Sequence, residues 1–150
     1  MMLSSIDIQS YLLHHKSFMG CFPCNRLPPF PSQLPKSLIV NSDNIQDSGD
    51  HWVGLILTPK KCFYFDSFGV GILENNINKF IERKYKTYIH SIKEIQAIES
   101  EKCGEFCMGF VLQVKNVKTY KKFLTQFNHR RLKKNDEKIR HFLRRYLRQL

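Results

Sequence analysis

The sequence predicts a fold that combines helices with a β-sheet, on three observations. Two apolar runs of strand length, residues 51–57 and 62–68, flank a short polar turn and predict a hairpin at the centre of the sheet. Apolar residues recur at helical spacing in residues 73–84, and the stretch 103–117 predicts a buried helix. A chain of 150 residues is long enough for one substantial core and too short for two, so we expect a single domain over residues 1–150.

The other elements follow from local patterns. Five prolines between residues 20 and 35 exclude a helix there and predict an extended loop. The remaining predicted elements are a helix within residues 5–16, a strand at 38–41, a polar turn region at 42–50, a strand within 87–96, a loop at 97–102 and a helix at 135–150 with Asn135 as its N-cap.

Composition excludes several classes of protein. The longest apolar runs, such as 52–57 and 106–112, are far short of the roughly 20 residues of a membrane-spanning helix, and no secretory signal pattern opens the chain. Five cysteines, an odd number, indicate free thiols in a reducing intracellular compartment. The pair Cys21 and Cys24 lacks a second pair of ligands, so we expect no metal site.

The net charge of +11 is concentrated in a basic C-terminal segment at about residues 115–150. Thirteen lysines and arginines follow residue 114, opposed only by Asp136 and Glu137, so the preceding part is neutral. The pattern fits a nucleic-acid surface, a membrane surface or partner groove, or a solvated cationic face. The nucleic-acid candidates are Arg130, Arg131, Lys133, Lys134, Arg140, Arg144, Arg145 and Arg148.

Four residues together supply the chemistry of a thiol hydrolase. Cys103 opens a predicted helix, whose positive end favours a thiolate. His51, at the start of a strand, is the candidate general base, and Asp66 on the neighbouring strand could orient its ring. Gln96, seven residues before Cys103, could complete an oxyanion hole with the Cys103 backbone N–H. Each residue alone has an ordinary structural explanation, and the combination favours catalysis.

The motifs resemble those of the adenovirus protease (adenain-like) family. The resemblance rests on His51-Trp52, on Phe-Asp-Ser-Phe-Gly around Asp66, on the spacing from Gln96, and on Cys103-Gly104-x-Phe-Cys. It spans about residues 5–115 and is strongest to proteases of adenovirus-related viruses and Maverick/Polinton elements. The same clan contains the SUMO and ubiquitin-like-protein proteases.

The resemblance implies an α+β fold with a mixed central sheet flanked by helices, and the nucleophilic cysteine at the N-terminus of a buried helix. It implies that Cys103 is the nucleophile, His51 the base, Asp66 the orienting acid and Gln96 the oxyanion donor. Trp52 is the aromatic that follows the histidine in this family. We also expect Gly104 to leave room for the substrate backbone.

The resemblance further implies cleavage of viral capsid and core precursors at small residues such as glycine. Because the family uses DNA, the resemblance favours DNA binding by the basic segment and suggests that DNA activates the protein. No cofactor is required for the chemistry, and the activating peptide of the family is left unassigned because no cysteine matches its partner. We expect a monomer in the host nucleus or the virion. The alternatives are a deubiquitinase or SUMO-type protease, and a non-catalytic DNA-binding or scaffold protein.

Overall fold

The computed structural model describes residues 2–42 and 51–148. Within them lie five strands and five α-helices, with a short 3₁₀ turn at Cys24–Arg26. The strands are β1 (Phe18–Pro23), β2 (Lys36–Asn41), β3 (Trp52–Leu57), β4 (Cys62–Phe65) and β5 (Ile89–His90). The helices are α1 (Ser5–Tyr11), α2 (Asn75–Glu82), α3 (Cys103–Gln113), α4 (Val117–Thr125) and α5 (Leu132–Arg148).

The strands form one mixed sheet in the order β1-β2-β3-β4-β5. The three central strands are antiparallel, whereas β1 and β5 pair in parallel with β2 and β4 at the two edges. The central hairpin is closed by Thr58 and Lys61, whose backbone N–H and C=O groups bond at 2.9 Å. The expected α+β fold with a mixed sheet and a central hairpin is therefore confirmed.

Both faces of the sheet are covered, which is why β3 is apolar along its whole length. One face packs against α1, α3, α4 and α5, and the other against α2 and the segment after β1. Gly54 of β3 allows the close approach of α3, because a Cβ there would lie 2.7 Å from Cδ2 of Phe110. Nearer the start of α3, the Cys107 thiol donates to the Trp52 carbonyl at 3.3 Å, at the start of β3.

Several expectations about local structure were wrong. The proline-rich region contains part of an edge strand, β1, whose extended backbone pairs in parallel with β2 up to and including Pro23, the first of the five prolines. The chain between α3 and α5 forms a separate helix, α4, capped by Asn116, whose side chain accepts from Thr119 N. The strand expected within 87–96 is present as the two-residue β5, and the helix expected within 5–16 is present as α1, which ends at Tyr11.

The C-terminal helix begins at Leu132, so Asn135 is not its N-cap. Asn135 is fully buried, and its side chain bonds to backbone groups of Ile95 and Asn128. Of the polar turn region expected at 42–50, only Ser42 falls in the described part of the chain. Among residues 2–42 and 51–148, no helix combines the length and apolar character needed to cross a membrane.

Candidate active site

The side chain of His51 is held between an acid and an aromatic ring. Its Nε2 atom lies 2.9 Å from Oδ1 of Asp66, and its ring stacks on Phe68 with the centroids 4.8 Å apart. The same Asp66 oxygen accepts a hydrogen bond from the Phe68 backbone N–H at 2.8 Å. Because Nε2 contacts Asp66, Nδ1 is the ring nitrogen left to interact with Cys103.

The sequence predicted that Asp66 lies within a strand, but β4 ends one residue earlier, at Phe65. The chain turns directly after it, with the Gly69 N–H donating to the Asp66 carbonyl at 2.9 Å. Gly69 has a φ of +76°, and a Cβ there would lie 2.7 Å from the carbonyl oxygen of Ile92. The turn requires glycine at this position and presents the carboxylate at the end of the strand.

The environment of His51 favours its protonated form. Burial of the ring opposes protonation, but hydrogen bonds with Asp66 and Cys103, and the negative charges of those groups, outweigh it. The pKa of His51 is thereby raised from 6.5 to about 9. The His51 ring is thus held protonated within hydrogen-bonding reach of the Cys103 side chain.

Cys103 is the first residue of α3, as the sequence predicted, and is 1% exposed. The backbone N–H groups of a first helical turn have no earlier partner in the helix, and the helix dipole places positive charge there. The Cys103 side chain therefore lies both at the start of α3 and within hydrogen-bonding reach of His51.

Gln96 is buried, and its carboxamide is fixed at both ends. Its Nε2 donates to the Ser100 carbonyl at 2.8 Å, and its Oε1 accepts from the Ser67 hydroxyl. The Ser100 carbonyl can only accept, so it determines which end of the amide carries the N–H groups. One of the two Nε2 hydrogens is used by Ser100, which leaves the second for another acceptor.

The sequence profile of the adenovirus endoprotease family matches residues 18–141 of the chain. The chain belongs to the adenovirus endoprotease family. The match includes His51, Asp66, Gln96 and Cys103 and continues past residue 115, where the resemblance seen in the sequence ended, into α5. The expected family is therefore confirmed.

A curated relative is the "Protease" of ovine adenovirus D serotype 7, isolate OAV287. The two proteins are 27% identical over an alignment of length 124, and the match covers 70% of this chain and 60% of the relative. The chain thus spans about 60% of the length of the curated relative it matches.

Two residues expected to support catalysis in this family member contact the N-terminal segment. The Trp52 indole N–H donates to the Leu3 carbonyl at 3.0 Å. A Cβ atom added at Gly104 would lie 3.3 Å from Ile8 Cδ1, 3.4 Å from Trp52 Cδ1 and 3.5 Å from Leu3 Cβ. Gly104 therefore lies against Trp52 and the N-terminal residues Leu3 and Ile8.

The predicted nucleic-acid residues lie on a different element from His51 and Cys103. All eight are exposed, either in the turn before α5 or along that helix: Arg130, Arg131, Lys133, Lys134, Arg140, Arg144, Arg145 and Arg148. The apolar side of α5 packs on α3 through Ile139 and Leu143. The helix therefore presents its cations outward.

The five cysteines are all thiols, and the Cys21–Cys24 pair forms no disulfide. Cys24 Sγ donates to the Ser42 carbonyl at 3.4 Å. Burial raises the pKa of Cys21 to about 12. In the part of the chain that the structure describes, no three histidines, cysteines or acids form a group that could hold a metal ion.

Sequence reasoning missed the residues that hold the site together. Ser67 and Ser100 bond to the two ends of the Gln96 carboxamide, and Asn135 bonds to the carbonyl of Ile95, the residue before Gln96. A signal for Ser67 was present, because it directly follows Asp66 in the motif. Asn135 is 39 residues from Gln96 in the sequence, and no local pattern connects them.

Proposed function

We propose that this family member is a cysteine endopeptidase. In this proposal Cys103 is the nucleophile, His51 the general base and acid, and Asp66 the group that orients the imidazole. The observation that carries the proposal is the position of the His51 ring, bonded to Asp66 at 2.9 Å and within hydrogen-bonding reach of the Cys103 thiol at the start of α3.

The reaction begins when the Cys103 thiolate attacks the carbonyl carbon of the scissile peptide bond. A C–S bond forms and the carbonyl oxygen becomes an oxyanion, which the second Nε2 hydrogen of Gln96 and the Cys103 backbone N–H stabilise. The His51 imidazolium then gives its proton to the amide nitrogen, the C–N bond breaks, and the amine product leaves.

The remaining thioester is hydrolysed by a water molecule. Neutral His51 takes a proton from the water as the oxygen attacks the thioester carbonyl, and the C–S bond breaks to restore the Cys103 thiolate. His51 is again an imidazolium. Asp66 keeps the ring in one orientation through both steps, since its Oδ1 is itself fixed by the Phe68 N–H.

The proposed substrates are viral capsid and core precursor proteins, cut next to small residues such as glycine, in the host nucleus or the virion. The basic surface of α5 and the preceding turn is proposed to bind DNA, because its eight cations are exposed on one element. Activation by DNA is part of the same proposal, whereas no peptide cofactor is assigned.

Profiling with a proteome-derived peptide library, with and without duplex DNA, tests this function. We expect cleavage by the wild-type chain after small residues, and none by Cys103→Ala. Ubiquitin and SUMO carrying a C-terminal fluorophore test the alternative specificity within the clan. Cleavage by Cys103→Ala would refute Cys103 as the nucleophile. No cleavage of any of these substrates by the wild type would favour a non-catalytic scaffold instead.

A further inference from the structure

The loop that carries Gln96, residues 91–102, is held in place by the C-terminal helices. This segment, called the Gln96 loop below, contains no helix or strand between Ser91 and Lys102. Lys93 Nζ donates to the Leu124 and Phe127 carbonyls at the end of α4, at 2.8 and 2.5 Å. Its conformation therefore depends on contacts with other elements.

Two consecutive residues of α5 bond to the loop on either side of Gln96. Asn135 Nδ2 donates to the Ile95 carbonyl at 3.0 Å, directly before Gln96. Asp136 Oδ2 accepts from the Ser100 hydroxyl at 2.8 Å. The carbonyl of the same Ser100 accepts from Gln96 Nε2 at 2.8 Å, so two hydrogen bonds connect Asp136 to the carboxamide.

We infer that Asp136 and Asn135 are positioning residues that hold the Gln96 carboxamide in its catalytic orientation. The inference rests on the proposed role of Gln96 as an oxyanion donor. Asp136 fixes Ser100 through its hydroxyl, Ser100 fixes Gln96 Nε2 through its carbonyl, and Asn135 fixes the backbone where the side chain begins. None of the three touches the reacting atoms.

The position of the Gln96 carboxamide should have a measurable effect on kcat. An oxyanion donor works only when its N–H points at the place where negative charge develops, so a donor that moves by about 1 Å can lower the rate by about 100-fold. The contacts of His51 with Asp66, Phe68 and Cys103 involve neither Ser100 nor Asp136, so Asp136→Ala should leave the nucleophile and the base in place. The Ser100 hydroxyl also accepts from the Lys102 N–H at 3.2 Å, directly before Cys103, so Ser100→Ala removes a second contact that Asp136→Ala keeps. A residue with only a structural role would lower stability without this selective effect on kcat.

The test compares Ser100→Ala, Asp136→Ala and their double variant with the wild type. The substrate is the best-cleaved peptide of the library, made fluorogenic. We expect each single change to lower kcat by about 10- to 100-fold with KM within about twofold, and the double variant to be no slower than the slower single. In Asp136→Ala the rate of Cys103 alkylation by iodoacetamide should stay at the wild-type value. Glu137→Ala, at the exposed next position of α5, is the matched control and should keep the wild-type kcat.

Two further variants separate positioning from stability. Asp136→Asn keeps an acceptor oxygen for the Ser100 hydroxyl and should recover most of the kcat lost in Asp136→Ala. Asn135→Asp removes the N–H donors from a buried site and should lower both kcat and the free energy of unfolding. In a Gln96→Ala background, Asp136→Ala should have little additional effect on kcat.

Some results would overturn the inference. One is that Ser100→Ala or Asp136→Ala folds and keeps the wild-type kcat while Gln96→Ala is slow. That result would overturn the positioning role but would leave the proposed function intact. Another is equal loss of kcat and alkylation rate, which would place the defect at Cys103. If Gln96→Ala itself cleaves at the wild-type rate, the oxyanion role of Gln96 fails and this inference fails with it.

Discussion

The carboxylate of Asp66 and the imidazole of His51 are joined by a hydrogen bond of 2.9 Å, although 15 residues separate them in the chain. The bond forms where β3 begins and β4 ends, because antiparallel strands place those two ends side by side. Asp66 is also tied to the Phe68 N–H, and His51 stacks on the Phe68 ring. The two residues are therefore fixed relative to each other by the turn after β4.

This relationship predicts the alkaline limit of activity. The pKa of His51 is raised to about 9, so the imidazolium that donates a proton to the leaving amine is lost as the pH rises through about 9. We expect kcat/KM to fall above that pH, and Asp66→Asn to move the fall to lower pH because it removes one negative charge. A pH–rate profile of both forms checks this, and an unchanged alkaline limb in Asp66→Asn would contradict it.

The same shift predicts how stability depends on pH. Because the pKa of His51 is higher in the folded state than its ordinary value of 6.5, its protonation stabilises the fold below about pH 6.5. That contribution is lost as the pH rises toward about 9. Urea unfolding of the wild type and of His51→Gln measures this. From pH 6 to pH 9.5, the free energy of unfolding of the wild type should fall relative to that of His51→Gln.

Cys103 should be alkylated much faster than the other cysteines at neutral pH. It lies at the start of α3 beside the His51 imidazolium, whereas burial raises the pKa of Cys21 and Cys62 to about 12 and that of Cys107 well above its ordinary value. Peptide mapping after limiting iodoacetamide measures this. Urea-denatured protein is the control, and equal labelling of all five cysteines in the folded protein would refute a thiolate at Cys103.

Gln96→Ala should lower kcat by about 100-fold or more, because it removes the proposed oxyanion donor. KM should change little, since the donor acts on charge that develops only in the transition state. Steady-state kinetics on one peptide substrate checks the result. Gln33→Ala, at an exposed position, is the matched control and should keep the wild-type kcat. A wild-type rate for Gln96→Ala would assign the oxyanion role to another group.

Gly54→Ala should destabilise the protein by about 1–3 kcal/mol. The new Cβ would lie 2.7 Å from Phe110, whose ring cannot move freely because it stacks on Phe65 with centroids 5.1 Å apart. Chemical denaturation measures the change. At Gly71 a Cβ would lie 3.4 Å from its nearest neighbour, the Tyr88 hydroxyl, so Gly71→Ala should change stability by less than about 0.5 kcal/mol.

The exposed cations of α5 should bind duplex DNA without sequence preference. The logarithm of affinity should fall linearly with the logarithm of salt concentration, with a slope of roughly −3 to −7 if only some of the cations reach phosphates. Neutralising four of them together should flatten that slope: Arg140, Arg144, Arg145 and Arg148. Fluorescence anisotropy with a labelled duplex across a salt series measures both.

The control for this experiment removes the same charge elsewhere. Neutralising Lys60, Lys61, Arg83 and Lys84, all exposed and distant in sequence from α5, should leave the slope nearly unchanged. Cys103→Ala should bind DNA like the wild type. Binding that is absent at low salt, or that does not depend on salt, would indicate a solvated or protein-docking helix instead.

The sequence by itself determined the family, the fold class and the residues of the candidate site. The central hairpin could be predicted because its strands are buried on both faces and read as continuous apolar runs. The start of α3 could be predicted because the apolar run 106–112 begins three residues after Cys103. These features are local, since each depends on residues that are neighbours in the chain.

Only the tertiary structure decided what surrounds those residues. The edge strand β1 forms through pairing with β2. Asn135 can be buried because its side chain donates a hydrogen bond to the Ile95 carbonyl. Gly104 faces Ile8 and the N-terminal segment because α1 folds back over α3. Such contacts join residues far apart in sequence, and their energy depends on packing that appears only when the helices and the sheet come together.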